Sequence, residues 1–452
     1  MKKQETLRSL RLAVTGISLV AILAACGGGE NDQEENNGND GADENNGADG
    51  DGELSGEIEV WSWNIAASSL ELAAEEFMEE HPDVTIDVQD SSTDDVVEQL
   101  TVALSGGAGL PDVVSLEAPQ IDSFMNQFPD GFMNLSERGF DEYEDDFTEF
   151  KVENNQNEDG DFVAMPWDIG PAGVFYRVDY FEEAGVNPDE IETWDDFAEA
   201  GEQIYDEVGV QMVSQEVSSD DALTRVFANQ QGSYYFDEEG NIDIESDEFE
   251  RSFEVYQDMY ESGIIHNASN WDSFVSSHVN GEVATSINGV WMSGTLMDQA
   301  DDQEGLWDVF ELPVFEEEGT SAANSGGSEI AVMNESENPD VAYAFAEFFT
   351  TDVDIQMAAF EEYGLFPSLI ETYDEPYFSE PVGYFNESAI FEIFADVAED
   401  IEPTNFTEDA PRAEDIIQDA QSDIILEGSE VLPGLEDAAN RLESETGRER
   451  NN

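Results

Sequence analysis

The chain has 452 residues, with 109 Asp plus Glu against 13 Lys plus Arg, a formal net charge of −96, and a single Cys. That balance excludes a nucleic-acid partner, because phosphate binding needs a basic face. One Cys excludes disulfides and Cys-based zinc sites, while His81, His266 and His278 lack the spacing of a His metal motif, so no cofactor or metal is expected.

Residues 1–25 open with Lys2, Lys3, Arg8 and Arg11, followed by an apolar run from Leu12 to Ala25. A basic start, a short apolar stretch and small residues before a cleavage point make a secretory signal, too short to span a membrane comfortably. Leu23-Ala24-Ala25-Cys26 resembles the bacterial lipobox, so Cys26 is expected to carry the lipid that anchors the mature chain to the membrane. No twin-Arg pair is present, which favours the general secretory route to the extracellular face of the cell membrane. Residues 26–55 are dominated by Gly, Asn, Asp and Glu and read as a disordered acidic tether. The order of acids and Gly there does not match a calcium loop.

Beyond the tether, apolar content of 40% over the chain is enough for a core. The acids are spread evenly rather than gathered in one tail, and Lys151 is the only lysine after Lys3. Self-repulsion on this scale destabilises a compact state at modest salt, and molar salt screens it over ~3 Å. The composition therefore predicts a halophilic protein, in which a single exposed acid carries little functional meaning.

Glu57–Trp63 alternates as a first strand, and Ser68 with Glu71 fits a capping box opening a helix toward His81. Val84, Ile86 and Val88 mark a second strand, Thr93–Ser105 an amphipathic helix closed by Gly106 and Gly107, and Asp112–Leu116 a third, apolar strand. Strand and helix alternating at this spacing predict a doubly wound α/β lobe with a parallel sheet, whose ligand face lies at the carboxyl ends of the strands. Residues 162–178 form a β-rich stretch broken by Pro and Gly, and Thr193 opens a helix through Tyr205. Residues 234–244 read as a hairpin around Glu239-Gly240, and Phe249–Ser262 as a helix. Residues 282–291 read as a strand, Pro339 begins a long helix, and Val353–Tyr363 is a helix closed by Gly364. From Glu387 the chain is mostly helical, with a polar, frayed end at Glu443–Asn452.

The pattern resembles the family 1 extracellular solute-binding proteins of ABC importers. The carrying segments are IEVWSW (58–63), FMEEHPDVTIDV (77–88), LPDVVSLE (110–117), FVAMPWDIGPAGVFYRVDYFEEAGV (162–186) with TWDDF (193–197), GEVATSINGVW (281–291) and the run from LPVFEEEG to GLFPS (312–368). Each is soft alone; six in register behind a lipobox are specific. The departure is that positions the family usually fills with Lys are acidic here, as in ENPD (337–340).

The resemblance implies an α/β, two-lobe periplasmic-binding-protein-like (type II) fold with a hinge and a ligand in the cleft. Lobe 1 would hold 56–173 and 331–365, and lobe 2 would hold 174–330 and 366–452. The crossings would fall near Gly170–Gly173, Gly326–Ser328 and Leu365–Pro367. It implies capture of a sugar or short oligosaccharide by a monomer that delivers it to the membrane permease of an ABC transporter, with no catalysis.

A sugar offers a C–H face that packs on aromatic rings and hydroxyls that need paired donors and acceptors. The expected ligand-binding residues are Trp63 and Asn64 at a strand end, Glu117 at the end of the third strand, Trp167 and Asp168 before a crossing, and Trp271, Trp291 and Tyr363. Trp291 matches the place of a sugar-stacking Trp in maltose-binding members. Arg177 and Arg225 are read as partners of neighbouring carboxylates. The rival readings are a surface glycoside hydrolase with two carboxylates, a receptor for a cationic compatible solute in an aromatic cage, and a ferric receptor using Tyr234 and Tyr235.

Overall fold

The computed structural model describes residues 54–157, 159–316 and 319–451. The segments expected to be a secretory signal and an acidic tether, with Cys26, lie outside the described residues up to residue 53. In chain order the strands are β1 Gly56–Trp63, β2 Val84–Ser91, β3 Val113–Leu116, β4 Met165–Pro166, β5 Asp168–Ile169 and β6 Ala172–Arg177, then β7 Gln211–Gln215, β8 Ile265–Asn267, β9 Val283–Gly289, β10 Trp307–Glu311, β11 Glu329–Val332 and β12 Phe366–Pro367.

Two five-stranded sheets form. The first has the order β2-β1-β3-β11-β4 and the second β10-β6-β9-β7-β8. In the first, β1 pairs in parallel with β2 and β3, as the alternating strands and helices predict, but β11 returns antiparallel between β3 and β4. That antiparallel strand comes from residues far along the chain, after the second sheet is complete, so local spacing could not announce it. In the second sheet, β6 is antiparallel to β9 and β10, while β7 runs parallel to β8 and β9. Three stretches pass between the sheets, at residues 167–171, 324–328 and 364–368, and β5 and β12 pair as a small two-stranded ladder among them.

The apolar residues at helical spacing become core. Leu70, Ala73, Ala74 and Phe77 of the helix Asn64–Glu80 pack against Ile58, Val60, Val113 and Phe345 around the first sheet. Phe197, Ile204, Phe249, Phe253 and Ile416 pack around the second. A third cluster joins Phe175, Trp307, Phe360, Phe366, Phe391 and Phe394. His278 is buried, with Nδ1 2.9 Å from the Phe274 carbonyl, and belongs to this packing.

Three local expectations are corrected. The first helix begins at Asn64, not at Ser68. Asn64 adopts φ 45°, its N–H donates to Asp90 Oδ1 at 2.8 Å, and Ser68 and Ser69 donate back to helix carbonyls instead of capping. An acceptor on β2 thus replaces the local cap. The 234–244 hairpin reduces to a single bridge between Phe236 and Ile242 around the turn closed by Gly240 N–H to Asp237 O. The other edge of Ile242 is taken by the C-terminus, through Ile242 N–H to Glu449 O at 2.8 Å and Asn451 N–H to Ile242 O at 2.9 Å. For the same reason the end is not frayed: the helix Val431–Thr446 runs on past Glu443, and Arg448 pairs with Glu408 and Asp409 and Arg450 with Glu245.

Every Lys and Arg among the described residues is ion-paired with a carboxylate. Arg177 is held by Asp179, with its guanidinium 4.2 Å from the Tyr180 ring centre. With so few cations, most carboxylates are left facing solvent and one another.

Candidate functional site

Between the two sheets lies a cleft of about 1550 Å³. The first lobe supplies the carboxyl ends of its parallel strands. Trp63 closes β1 and is 9% exposed, Asn64 follows it, and Ile65 stands 44% exposed on the first turn of the helix. Glu117 follows β3 and precedes the helix Ala118–Gln127, where Gln120 Oε1 accepts from its N–H at 3.0 Å. Burial raises the Glu117 pKa, and Arg225 works against the rise. Tyr363 sits at the end of the helix Val353–Tyr363, just before Gly364 closes that helix in the left-handed region.

The second lobe supplies the indoles. Asn270 caps the helix Trp271–Val279 by accepting from Ser273 N–H at 2.9 Å, which turns Trp271 out of the helix start. Trp271 is 46% exposed, stacks on Phe274 at 5.3 Å, and stands 5.9 Å from Trp291 at 48°. Trp291 follows β9 and donates Nε1–H to Ser325 O at 2.8 Å, so its ring is fixed by a crossing stretch. The pair offers an aromatic wall.

Trp63, Asn64, Glu117, Asp168, Trp271, Trp291 and Tyr363 all line this cleft. Trp167 does not. It is 1% exposed in the first-lobe core, edge-on to Phe349 at 4.8 Å. Successive side chains of an extended segment point to opposite sides, so sending Asp168 into the cleft sends Trp167 away from it.

Two cations line the cleft, and neither is free. Lys151, on the helix Glu149–Asn154, is paired with Glu329, and both side chains are buried, at 3% and 0% exposure. Burial pushes Glu329 up to about 7, against the pull of Lys151. Asp168 is pushed up to about 6 by burial, again opposed by Lys151. Arg225 lies 3.1 Å from the buried Asp221 and 3.4 Å from Asp220, and Tyr235 donates its hydroxyl to Asp221. Tyr235 is thus buried against a structural carboxylate, while Tyr234 lines the cleft next to Arg225. Glu414 and Asp220 add carboxylates on the second-lobe side. Among the described residues no group of three or more His, Cys, Asp or Glu could hold a metal ion.

Lys151 went unrecognised in the sequence, although a signal was there: it is the only lysine after Lys3. Glu414 carried no signal, because it is one acid among many on a helix of the C-terminal region.

The chain belongs to the family of bacterial extracellular solute-binding proteins, whose model matches residues 61–354. It is 28% identical over 366 residues to the lactose-binding protein of Rhizobium radiobacter, covering 78% of this chain and 84% of that one. It is 27% identical over 376 residues to an arabinooligosaccharide-binding protein of Halalkalibacterium halodurans, covering 79% and 82%. In fold it matches an ABC-transporter-associated binding protein of B. animalis subsp. lactis Bl-04 in complex with β-1,6-galactobiose, with TM-score 0.74, 21% identity, and coverage of 88% of this chain and 100% of that one. It also matches the GacH receptor of Streptomyces glaucescens, whose structure was determined with acarbose, at TM-score 0.75, 18% identity, and coverage of 87% and 98%. The relatives are binding proteins, and the fold is the two-lobe α/β type of that class.

Proposed function

We propose that this chain captures an uncharged sugar or short oligosaccharide between its lobes outside the cell and delivers it to the membrane permease of an ABC importer, without chemistry of its own. The observation that carries the reading is the composition of the cleft wall: a half-exposed indole beside a second indole, facing carboxylates, with both lining cations already paired. Indole faces cover sugar C–H faces, and carboxylates accept from hydroxyls. Paired cations leave no charge to select an acidic ligand. The sugars named for the relatives agree with this chemistry. The cleft exceeds the ~300–1,000 Å³ of ordinary small-ligand pockets, which favours more than one sugar ring.

In this reading the ligand-binding residues are Trp63, Asn64, Glu117, Asp168, Trp271, Trp291 and Tyr363. Lobe 1 is 56–173 with 331–365, and lobe 2 is 174–330 with 366–452, the bounds at 173 and 330 lying within two residues of the sheets' own, since β6 of the second sheet begins at Ala172 and β11 of the first at Glu329. The chain acts as a monomer held to the membrane by lipid on Cys26. Closure follows because the ligand touches both lobes, and only a ligand that binds the closed state better can shift the balance toward it.

Calorimetric titration in molar KCl with lactose, arabino-oligosaccharides and β-1,6-galactobiose tests the reading, with glycine betaine alongside. Saturable heat with at least one carbohydrate and none with betaine is expected. Binding of betaine alone, or monosaccharide released during the titration, contradicts it.

A further inference from the structure

The sole lysine of the described chain occupies a place that ligand contact does not explain. Lys151 Nζ donates to Ser328 O at 3.1 Å and pairs with Glu329, so both of its partners lie at the end of the stretch 324–328 that re-enters the first sheet. Ser328 N–H in turn donates to Asp168 Oδ1 at 2.8 Å, which ties the same point to the stretch 167–171. Gly327, at φ 104°, lies beneath this knot. A Cβ there would sit 2.7 Å from Asp168 O and 3.3 Å from Lys151 Nζ, so the three groups close on a backbone with no room for a side chain.

The third passage is bound to the same short helix. Thr148 N–H, just before it, donates to Ser368 O at 3.1 Å, and Ser368 N–H donates to Trp167 O at 2.8 Å. On the second-lobe side the first two stretches are laced together by Ser325 N–H to Gly170 O at 2.7 Å, Gly170 N–H to Asn324 Oδ1 at 3.0 Å and Ala172 N–H to Ala323 O at 2.9 Å. All three passages between the lobes are therefore fastened at their first-lobe end, and among the described residues Lys151 is the one cation that takes part.

We propose that Lys151 is a positioning residue for ligand capture: it anchors the crossing stretch 324–328 to the first lobe, so that it sets the angle between the lobes and holds Asp168 at the cleft wall. A buried ion pair is a poor source of net stability, because desolvation offsets much of the attraction. What it does supply is geometry, since a lysine this deep is held by directed bonds to one carbonyl and one carboxylate. Hinge positions control opening and closure from outside the ligand contacts. The inference rests on the two-lobe fold, and only its affinity arm rests on the sugar reading.

The test uses the full chain with Cys26→Ser, which removes the native thiol, and dyes on Val102→Cys and Leu432→Cys. Those two positions are 66% and 40% exposed, on the first-lobe helix Thr93–Gly106 and the second-lobe helix Val431–Thr446. Lys151→Met alone strands Glu329, so its unfolding midpoint is expected to fall. Lys151→Met with Glu329→Met removes both charges, and its midpoint is expected to recover. In that folded double variant, ligand-free, the single-molecule dye-to-dye distance distribution is expected to shift or broaden. The dissociation constant for whichever probe sugar binds the parent is expected to rise about tenfold or more.

A double variant with the parental midpoint and the parental distance distribution overturns the proposal, whether or not any sugar binds. A mutation-free measurement covers failure to fold. Hydrogen exchange on the unmodified chain is expected to protect the Ser328 amide to the level of global unfolding. Exchange at a loop-like rate overturns the proposal. If no carbohydrate binds the parent, the sugar reading fails, while the distance and exchange arms still decide the role of Lys151.

Discussion

Removing the exposed indole of the cleft wall separates a ligand contact from a structural one. Trp271 is 46% exposed without ligand and packs on Phe274 and Trp291 with the rest of its ring. An indole side chain presents ~200 Å² for burial, so roughly 90 Å² remains for a ligand to cover. At ~25 cal/mol/Å² full cover would contribute about 2 kcal/mol. A sugar covers one face of the ring and leaves an edge wet, so the expected loss in Trp271→Ala is roughly 1–2 kcal/mol, or about 5- to 30-fold in affinity.

The half of the ring already packed on Phe274 belongs to the fold, and its loss lowers unfolding stability by a comparable roughly 1–2 kcal/mol. The two effects are separable. Calorimetric titration in molar KCl, at a temperature where near-ultraviolet circular dichroism shows the variant fully folded, reads only the first. An unchanged dissociation constant for the carbohydrate that binds the parent removes Trp271 from the site and refutes the aromatic-wall argument. A loss of several kcal/mol refutes the area reasoning instead, because so little surface cannot supply it.

Burial raises Glu329 and Asp221 up to about 7 and Asp168 up to about 6, above the ~4 of carboxyls in an unfolded chain. A carboxyl raised in the folded state contributes its stability in full below the unfolded value and loses it as pH climbs through the folded one. The denaturation midpoint is therefore expected to fall from pH 5 to pH 8; His278, lowered to about 4 by burial, works the other way below ~6.5. A midpoint flat or rising over that range contradicts the assignment. Asp122→Asn is expected to stabilise the fold at pH 8 by about 1 kcal/mol, because burial and then Glu408 push Asp122 up to about 6. The Glu408 part of that gain shrinks from ~0.1 M to ~1 M salt as the screening length drops from ~10 to ~3 Å, and denaturant titration at both salts measures it. Gly327→Ala is expected to cost about 2 kcal/mol or more, since φ 104° strains any L side chain and the Cβ meets Asp168 O at 2.7 Å. A thermal midpoint equal to the parent's refutes it.

Much of the fold was legible in the chain. The alternation in 57–63 and 84–88, the caps at Thr193 and Gly364, and the stripes of Phe and Ala are local signals, and the structure places elements there. So were seven residues of the cleft wall, because strand ends and helix starts are positions that pattern and turn chemistry mark. The misreadings share a cause. The helix start at Asn64 is satisfied by Asp90 on another strand, the C-terminal end is held by pairing at Ile242, and Trp167 turns inward because Asp168 is drawn out.

By itself the sequence determined the α/β character of the first lobe, its first three strands with the helices between them, and a surface too acidic to rest easily in dilute buffer. Those follow from periodicity, local stereochemistry and composition, which each stretch of chain carries on its own. Only the tertiary structure decided that Trp271 meets Trp291, that β11 threads antiparallel between β3 and β4, and that Lys151 closes on Ser328 and Glu329 from more than a hundred residues away. Such meetings depend on how whole lobes pack and cross, and no local pattern records which distant partner will satisfy a buried charge.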